Sequence, residues 1–586
     1  MEDRLFSFET TSFTVSMAAQ PTELSLCETE NSGSVAVYEF FCRFDAPTPV
    51  QNIRICWSRP MLGILSVWAP MLLRERAVHQ WWAPTRSESS FYKGAPVIAA
   101  VRDGSHSVCT VALSDSITPC SLSFAVNDFA QLEQVDYCAE LLCEERTVTE
   151  YRVLLRIDEQ GLPLGESLRG VADWWSTFYA RKLPVNPVCE LPLYSSWYNF
   201  HQHPNAQLLE KELELAAALG FKAAIIDDGW QYEGNGTGDY FDCGNWAVAS
   251  GKFPDFAAFI RKAHVFGIKV MLWFPVPFVG QNTQAYRTFR DRFLYFDQGS
   301  RAGVLDPRRP EVRRYLVDLF RDFLLQYDLD GLKLDFIDSF RATKETPPFD
   351  AATMDCPTVD GSVERLLKEL TAALRSVKDD CMIEFRQHYI SPAITAHCNM
   401  LRVLDCAFDS LTNRLCIADL RMLTNTLAVH SDMLFWAQNE TPVNCARQLL
   451  NILFAVPQIS ILLTKATAEQ RQVIQNYLAY WNANRELLLH APLTVTGMDG
   501  NYSTLSACDG SKRITALYLD PTAVFDGMPL DVFNGTAKDW LYLENTADCT
   551  ICATVYDCFG TMLCEQALVP GLHRLAVPAG GHLELR

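Results

Sequence analysis

The sequence predicts a (β/α)8 barrel set between two β-rich domains, and three observations carry that prediction. The chain has 586 residues, room for about three or four domains of ordinary size. Its middle alternates apolar runs of strand length with helix-length amphipathic segments, the pattern of a parallel sheet covered by helices. Both flanks are built of short β-rich runs separated by polar, Pro-containing turns.

From Phe6 to about Asp158, runs such as SVAVYEFFCRF and SVCTVALS predict strands, and helical periodicity is scarce. The stretch Leu183 to Pro192, LPVNPVCELP, holds three prolines in ten residues and reads as a linker. After it come Leu193–Phe200, KAAIIDD, IKVMLWF, GLKLDF, CMIEFR, runs near Leu401 and His430, and PQISILL. These make about eight β/α units over roughly 300 residues, the size of one closed barrel with insertions. From about Pro492, runs such as RITALYLD and HRLAVPA predict a small C-terminal sheet domain. The expected divisions are residues 1–182, 183–488 and 489–586.

Composition narrows the class. Hydrophobic residues make up 49% and charged residues 20%, a globular balance. A net charge of −20 repels phosphate backbones and anionic membranes, so neither nucleic acid nor a membrane is an expected partner. MEDRLFSFET carries acids where an export signal needs a basic start, and Leu449 to Leu463 is too short and too interrupted to span a bilayer. Twenty cysteines without a framework spacing predict reduced, mostly buried thiols and a cytoplasmic location. Cys549 and Cys552 form a CxxC with Cys558 and Cys564 nearby, but the segment alternates like a strand, which favours core cysteines over a zinc site.

The C-terminal ends of barrel strands converge on one face, so polar residues there share a pocket. Asp227 and Asp228 end KAAIIDD ahead of Trp230, Lys333 and Asp335 lie in GLKLDF, and Glu384 and Arg386 lie in CMIEFR. Trp197, Trp273 and Trp436 fall near other strand ends. Carboxylates that accept hydroxyl protons, beside indoles that stack on C–H surfaces, describe a sugar site. Lys333 and Asp335, at i and i+2, share a strand face, which places a cation near a carboxylate that must stay ionised to act as a glycosyl nucleophile. RVLDCAFDSLTNR supplies Arg402, Asp405, Asp409 and Arg414. Asp405 directly follows an apolar run and is the better candidate for a general acid, while Asp409 stands where it could cap the next helix. Lys333, Arg386 and Arg402 interleave with the acids, which disfavours a cation site, so no metal and no organic cofactor is expected. His201, His203, His388 and His430 lack a ligand-like spacing and are expected to be wall residues.

SSWYNF, IIDDGWQ, KVMLWF, LDPRRPEVRRYL, DGLKLDF and RVLDCAFDSLTNR, in this order, resemble the catalytic barrel of the α-galactosidases of glycoside hydrolase family 36, in the clan shared with family 27. The resemblance covers most of Leu193 to about Asn484. It implies a TIM barrel between an N-terminal β-supersandwich and a C-terminal antiparallel β domain. It also implies a retaining, exo-acting α-galactosidase with Asp335 as nucleophile and Asp405 as acid/base. Asp227, Asp228 and Lys333 would bind hydroxyls of the terminal sugar, completed by Trp197, Trp273 and Arg386, with Arg402 and Asp409 beside the acid. Two departures stand out. Many members have Lys-Trp-Asp where this chain has Lys333-Leu334-Asp335, and a small, Gly-rich stretch near C2 of the sugar where this chain has EFRQHYISP. An α-N-acetylgalactosaminide or another modified α-glycoside is therefore the second substrate class. A sugar-transferring relative of the raffinose synthases and a non-cleaving glycan binder remain open, although both candidate carboxylates are retained. Relatives often assemble into oligomers, which leaves a homo-oligomer open.

Overall fold

The computed structural model describes residues 2–184, 186–231, 240–424 and 427–586. The N-terminal part forms two six-stranded antiparallel sheets. Alternating side chains such as Phe13, Val15, Phe40, Ile55, Leu122 and Leu155 close a core between them. A helix at Leu164–Ser176, not among the expected elements, then leads out of these sheets and packs on the barrel helix Ser410–Leu423.

Eight parallel strands follow, and they are the eight read from the sequence: Leu193–Ser195, Ala223–Ile226, Lys269–Pro275, Gly331–Asp335, Met382–Arg386, Met400–Arg402, Ala428–His430 and Gln458–Ile459. The last pairs with the first, and a bridge from His430 to Val456 joins the seventh strand to the approach of the eighth, closing the ring. Interior residues such as Ala224, Ile226, Val270, Leu272 and Leu334 are fully or almost fully buried, as a parallel sheet covered on both faces requires.

The C-terminal part holds a seven-stranded and a three-stranded sheet around Leu517, Val532, Leu543 and Leu583. Two strand pairs depart from the expected antiparallel pattern. Arg513–Leu517 runs parallel to Leu530–Asn534, and Thr522–Phe525 runs parallel to Leu541–Asn545.

Two cysteine expectations need correction. Cys56 and Cys138 lie opposite each other on adjacent strands and are disulfide-bonded. Cys549, Cys552 and Cys564 are exposed and only Cys558 is buried, so this segment does not place its cysteines in a core. Among the described residues, these four do not gather their sulfurs into a metal-sized cluster; that spacing occurs only at Glu190, Glu486 and His490.

Candidate active site

Asp227 and Asp228 directly follow the second strand, both 1% exposed. Neither caps a helix among the described residues, where the next helix, Phe256–Val265, is capped by Asp255. Asp227 accepts from Lys333 Nζ at 2.7 Å and from the Asp228 N–H at 2.9 Å. Asp228 accepts from the side-chain amides of Gln202, at 2.9 Å, and Gln231, at 3.0 Å. Gly229 allows this approach: it takes a left-handed φ of 98°, and a Cβ there would stand 2.5 Å from the Gln202 backbone.

Asp335 ends the fourth strand, on the face it shares with Lys333. Its carboxylate is held by three donors. Trp273 Nε1, from the third strand, reaches Oδ2 at 2.9 Å, and the Phe336 N–H and Arg386 Nε reach Oδ1 at 2.8 Å and 2.5 Å. Lys333 itself bonds to Asp227, so the direct cationic partner of Asp335 is Arg386 rather than its strand neighbour. Burial would raise the Asp335 carboxyl, but the charges of Arg386 and then Lys333, with the Arg386 and Trp273 hydrogen bonds, hold it well below the usual carboxylate range.

Arg402 ends the sixth strand, fully buried. Its Nη1 lies 2.7 Å from Asp432 Oδ1 and 2.9 Å from Asp405 Oδ1. Asp405 is half exposed, at 56% of its side chain. Burial raises its carboxyl, but Arg402 and then Lys333 outweigh burial and the repulsion of Asp335 and keep it below the ordinary value. The two candidate catalytic carboxylates therefore feel each other's charge across the barrel mouth.

Asp409 takes the capping position. It accepts from the Thr412 N–H at 3.0 Å, the Thr412 hydroxyl at 2.6 Å and Arg74 Nη2 at 2.8 Å. Asp409, expected beside the acid or as a helix cap, thus fills the capping position, with its side chain still 45% exposed. Trp197 opens a four-residue helix after the first strand, partly exposed and edge-on to His201 at 5.1 Å. Trp230 is buried and donates to the Trp273 carbonyl at 2.9 Å, so it supports the site from behind.

Glu384, placed with the mouth acids by sequence, lies one layer deeper, opposite Lys333 in register and with no measurable exposure. Gln458 donates to its Oε2 at 2.6 Å, and burial pushes its carboxyl up to about 7 against the pull of Lys333 and Arg402. The same Gln458 amide lies 3.0 Å from His430 Nδ1, whose other nitrogen meets the Cys189 carbonyl at 2.7 Å. Burial pushes His430 down to about 4, so it is a neutral wall residue.

Sequence reasoning missed Gln202, Gln231, Tyr198 and Asp432. Asp432 is fully buried, accepts from Arg402, from the Cys406 N–H at 2.7 Å and from the Tyr198 hydroxyl at 2.7 Å, and so fixes the loop that carries Asp405. One weak signal pointed to it: Asp432 stands just past the apolar run Leu427–Val429, separated from it by His430 and Ser431.

Residues 187–357 match the Melibiase family. α-Galactosidase C of Emericella nidulans is 26% identical over 161 residues, 25% of this chain and 21% of that protein. α-Galactosidase 2 of Pediococcus pentosaceus is 30% identical over 129 residues, 21% of this chain and 18% of that protein. The matched segment thus spans about a fifth of these curated relatives. The fold likeness is far wider. The α-galactosidase AgaA of Geobacillus stearothermophilus superposes over 98% of this chain and 81% of its own with a TM-score of 0.67 at 14% identity. The Thermus thermophilus α-galactosidase TtGalA, solved with p-nitrophenyl α-D-galactopyranoside, does so over 86% and 98% with a TM-score of 0.53 at 15% identity. Residues 187–357, which carry Asp227, Asp228, Lys333 and Asp335, thus match the Melibiase family, and the chain as a whole is similar in fold to solved glycoside hydrolase family 36 α-galactosidases.

Proposed function

We propose that this chain is a retaining, exo-acting α-galactosidase that removes terminal α-galactosyl residues by double displacement. The observation that carries this reading is the buried, ionised Asp335 facing the half-exposed Asp405 across a barrel mouth whose floor is the Lys333–Asp227 pair.

Asp335 Oδ2 has a single donor, Trp273, against two on Oδ1, and is the freer oxygen to attack the anomeric carbon. As the bond from that carbon to the leaving oxygen breaks, the oxygen takes a proton from Asp405. Water then attacks the same carbon, returns its proton to Asp405 and frees Asp335, so two inversions give retention. The buried acceptors Asp227 and Asp228 bind sugar hydroxyls, with Trp197 and Trp273 as walls. Acids and bases of the chain supply all of these steps, and the site works without a metal or cofactor. The substrate matches what relatives hold: an AgaA variant has been solved with raffinose and another with stachyose. A cytoplasmic location belongs to the same proposal, supported by the many free cysteines.

One observation favours a second substrate class. Arg386 places a guanidinium directly against Asp335, where the family resemblance implies small residues near C2. An α-galactoside modified at C2 is the variant of the proposal that this cation favours. Incubation with p-nitrophenyl α-galactoside and its N-acetylgalactosamine counterpart, followed by NMR of the first-formed sugar, tests both. Release of the α-anomer is expected; release of the β-anomer, or no release from any α-glycoside, would overturn the proposal.

A further inference from the structure

The loop that carries Asp405 ends in a tight turn whose shape the chemistry above does not require. The Asp409 N–H donates to the Cys406 carbonyl at 2.9 Å, which leaves Ala407 and Phe408 as the two central residues. Phe408 occupies the second of these with a left-handed φ of 61°. Glycine or asparagine is usual there, and a bulky side chain at positive φ is an outlier held by its surroundings. The surroundings hold it from both sides. Cys406 donates to Asp432, and Asp409 is locked by Thr412 and Arg74. The strained backbone nevertheless presents a phenyl ring that is 71% exposed.

That ring is one end of an aromatic row. Phe408 meets Phe435 edge-on, with centroids 4.9 Å apart, and Phe435 faces Tyr198 at 6.4 Å. The Tyr198 hydroxyl donates to Asp432, the same buried carboxylate that holds Arg402 and, through it, Asp405. Phe435 also lines a cavity of about 190 Å³ together with Asn199 and Trp436. An exposed aromatic platform is therefore fixed three residues from the candidate acid by the same hydrogen-bond network.

We propose that Phe408 is the platform of a leaving-group subsite, on which the C–H face of a pyranose aglycone stacks while Asp405 protonates the glycosidic oxygen. Aromatic faces suit sugars because their axial C–H groups are apolar and weakly positive. The proposal rests on the reading of Asp335 and Asp405 given above, and it adds that the preferred leaving group is a sugar ring.

The test compares raffinose, whose leaving group is a sugar, with α-galactosyl fluoride, whose leaving group needs neither a platform nor a proton. For the full-length Phe408→Ala variant, the ratio of kcat/KM on raffinose to kcat/KM on the fluoride should fall about tenfold, mainly through KM. Phe408→Trp should keep the ratio within about threefold of wild type. Phe408→Gly should lose the ratio as the alanine variant does while melting no lower than wild type, because glycine accepts the turn without strain. An unchanged ratio in the alanine and glycine variants would overturn the subsite, as would a shift in oligomeric mass that restored the ratio at high protein concentration. Wild-type protein that turned over neither substrate would refute the catalytic reading and the subsite together, an outcome distinct from the others.

Discussion

Asp335 keeps its charge in a buried setting because Arg386 and Lys333 outweigh the burial that would raise its carboxyl. Asp335→Ala should cut turnover at least about a thousandfold without unfolding the protein, and azide should partly restore it as the inverted β-galactosyl azide, read by NMR. Near-normal turnover by the folded variant would remove Asp335 from the mechanism. Asp405 is also held below its ordinary value, by Arg402, yet it must be protonated to act as an acid. The reactive form of the free enzyme carries the proton on Asp405 and none on Asp335, so kcat/KM should decline from acidic toward neutral pH. Asp405→Ala should abolish that decline and slow raffinose by about 10² to 10⁴ while sparing activated leaving groups. Glu384 is shifted the other way, pushed by burial up to about 7 from the ordinary 4.5. A carboxyl whose pKa is raised on folding binds more protons folded than unfolded, so its contribution to stability is full below about 4.5 and lost as pH rises through about 7. Glu384→Gln should therefore flatten the pH dependence of the melting temperature in that window; an unaltered slope would assign it to other groups, such as Asp360, which burial also pushes up to about 7. Asp227, Asp228 and Asp335 were legible because a carboxylate after an apolar strand run has few other uses. Glu384 looked the same in sequence, but it stands two residues before Arg386 on one strand face and falls a layer below the mouth.

At the scale of elements, apolar runs located all eight barrel strands, since parallel strands buried on both faces cannot alternate. One helix start was legible as a short polar side chain ahead of a periodic segment, at Asp409, and the structure puts Asn205, Asp255 and Thr358 in the same position on other helices. Which of two roles Asp409 plays could not be read locally, because Arg74, its second partner, is 335 residues away in sequence. The Cys56–Cys138 bridge was hidden for the same reason: it depends on the register of two strands 82 residues apart. Asp409→Ala should lower stability by about 1 kcal/mol, the usual worth of a cap, measured by chemical denaturation. Its losses on raffinose and on an activated aryl galactoside should be equal. A loss confined to raffinose would instead give Asp409 the acid/base role.

On the scale of the whole molecule, the three parts of the chain are tied by a buried carboxylate that no local pattern reveals. Asp419, on the barrel helix Ser410–Leu423, accepts from Trp68 Nε1 at 2.8 Å and pairs with Arg76 Nη2 at 3.0 Å, both from the N-terminal part. It also accepts from the Tyr502 hydroxyl at 2.5 Å, from the C-terminal part, and Arg76 stacks over the Tyr502 ring at 4.4 Å. All four side chains are nearly or fully buried. The loop that runs from Trp68 through Arg76 also carries Arg74 to Asp409, so the same junction positions the far end of the loop that holds Asp405. Removing one partner of a buried ion pair strands the other charge, at a cost of about 3 to 5 kcal/mol. Asp419→Ala is therefore expected to lower global stability by that amount, far beyond the loss from an exposed pair such as Lys93–Glu88, which should be under about 1 kcal/mol. Because Asp419 is where the parts meet, calorimetry should show the N-terminal sheets melting apart from the barrel in the variant. A single transition shifted by no more than that of the Lys93→Ala control would mean that the parts are joined chiefly by their apolar contacts, with this cluster a bystander.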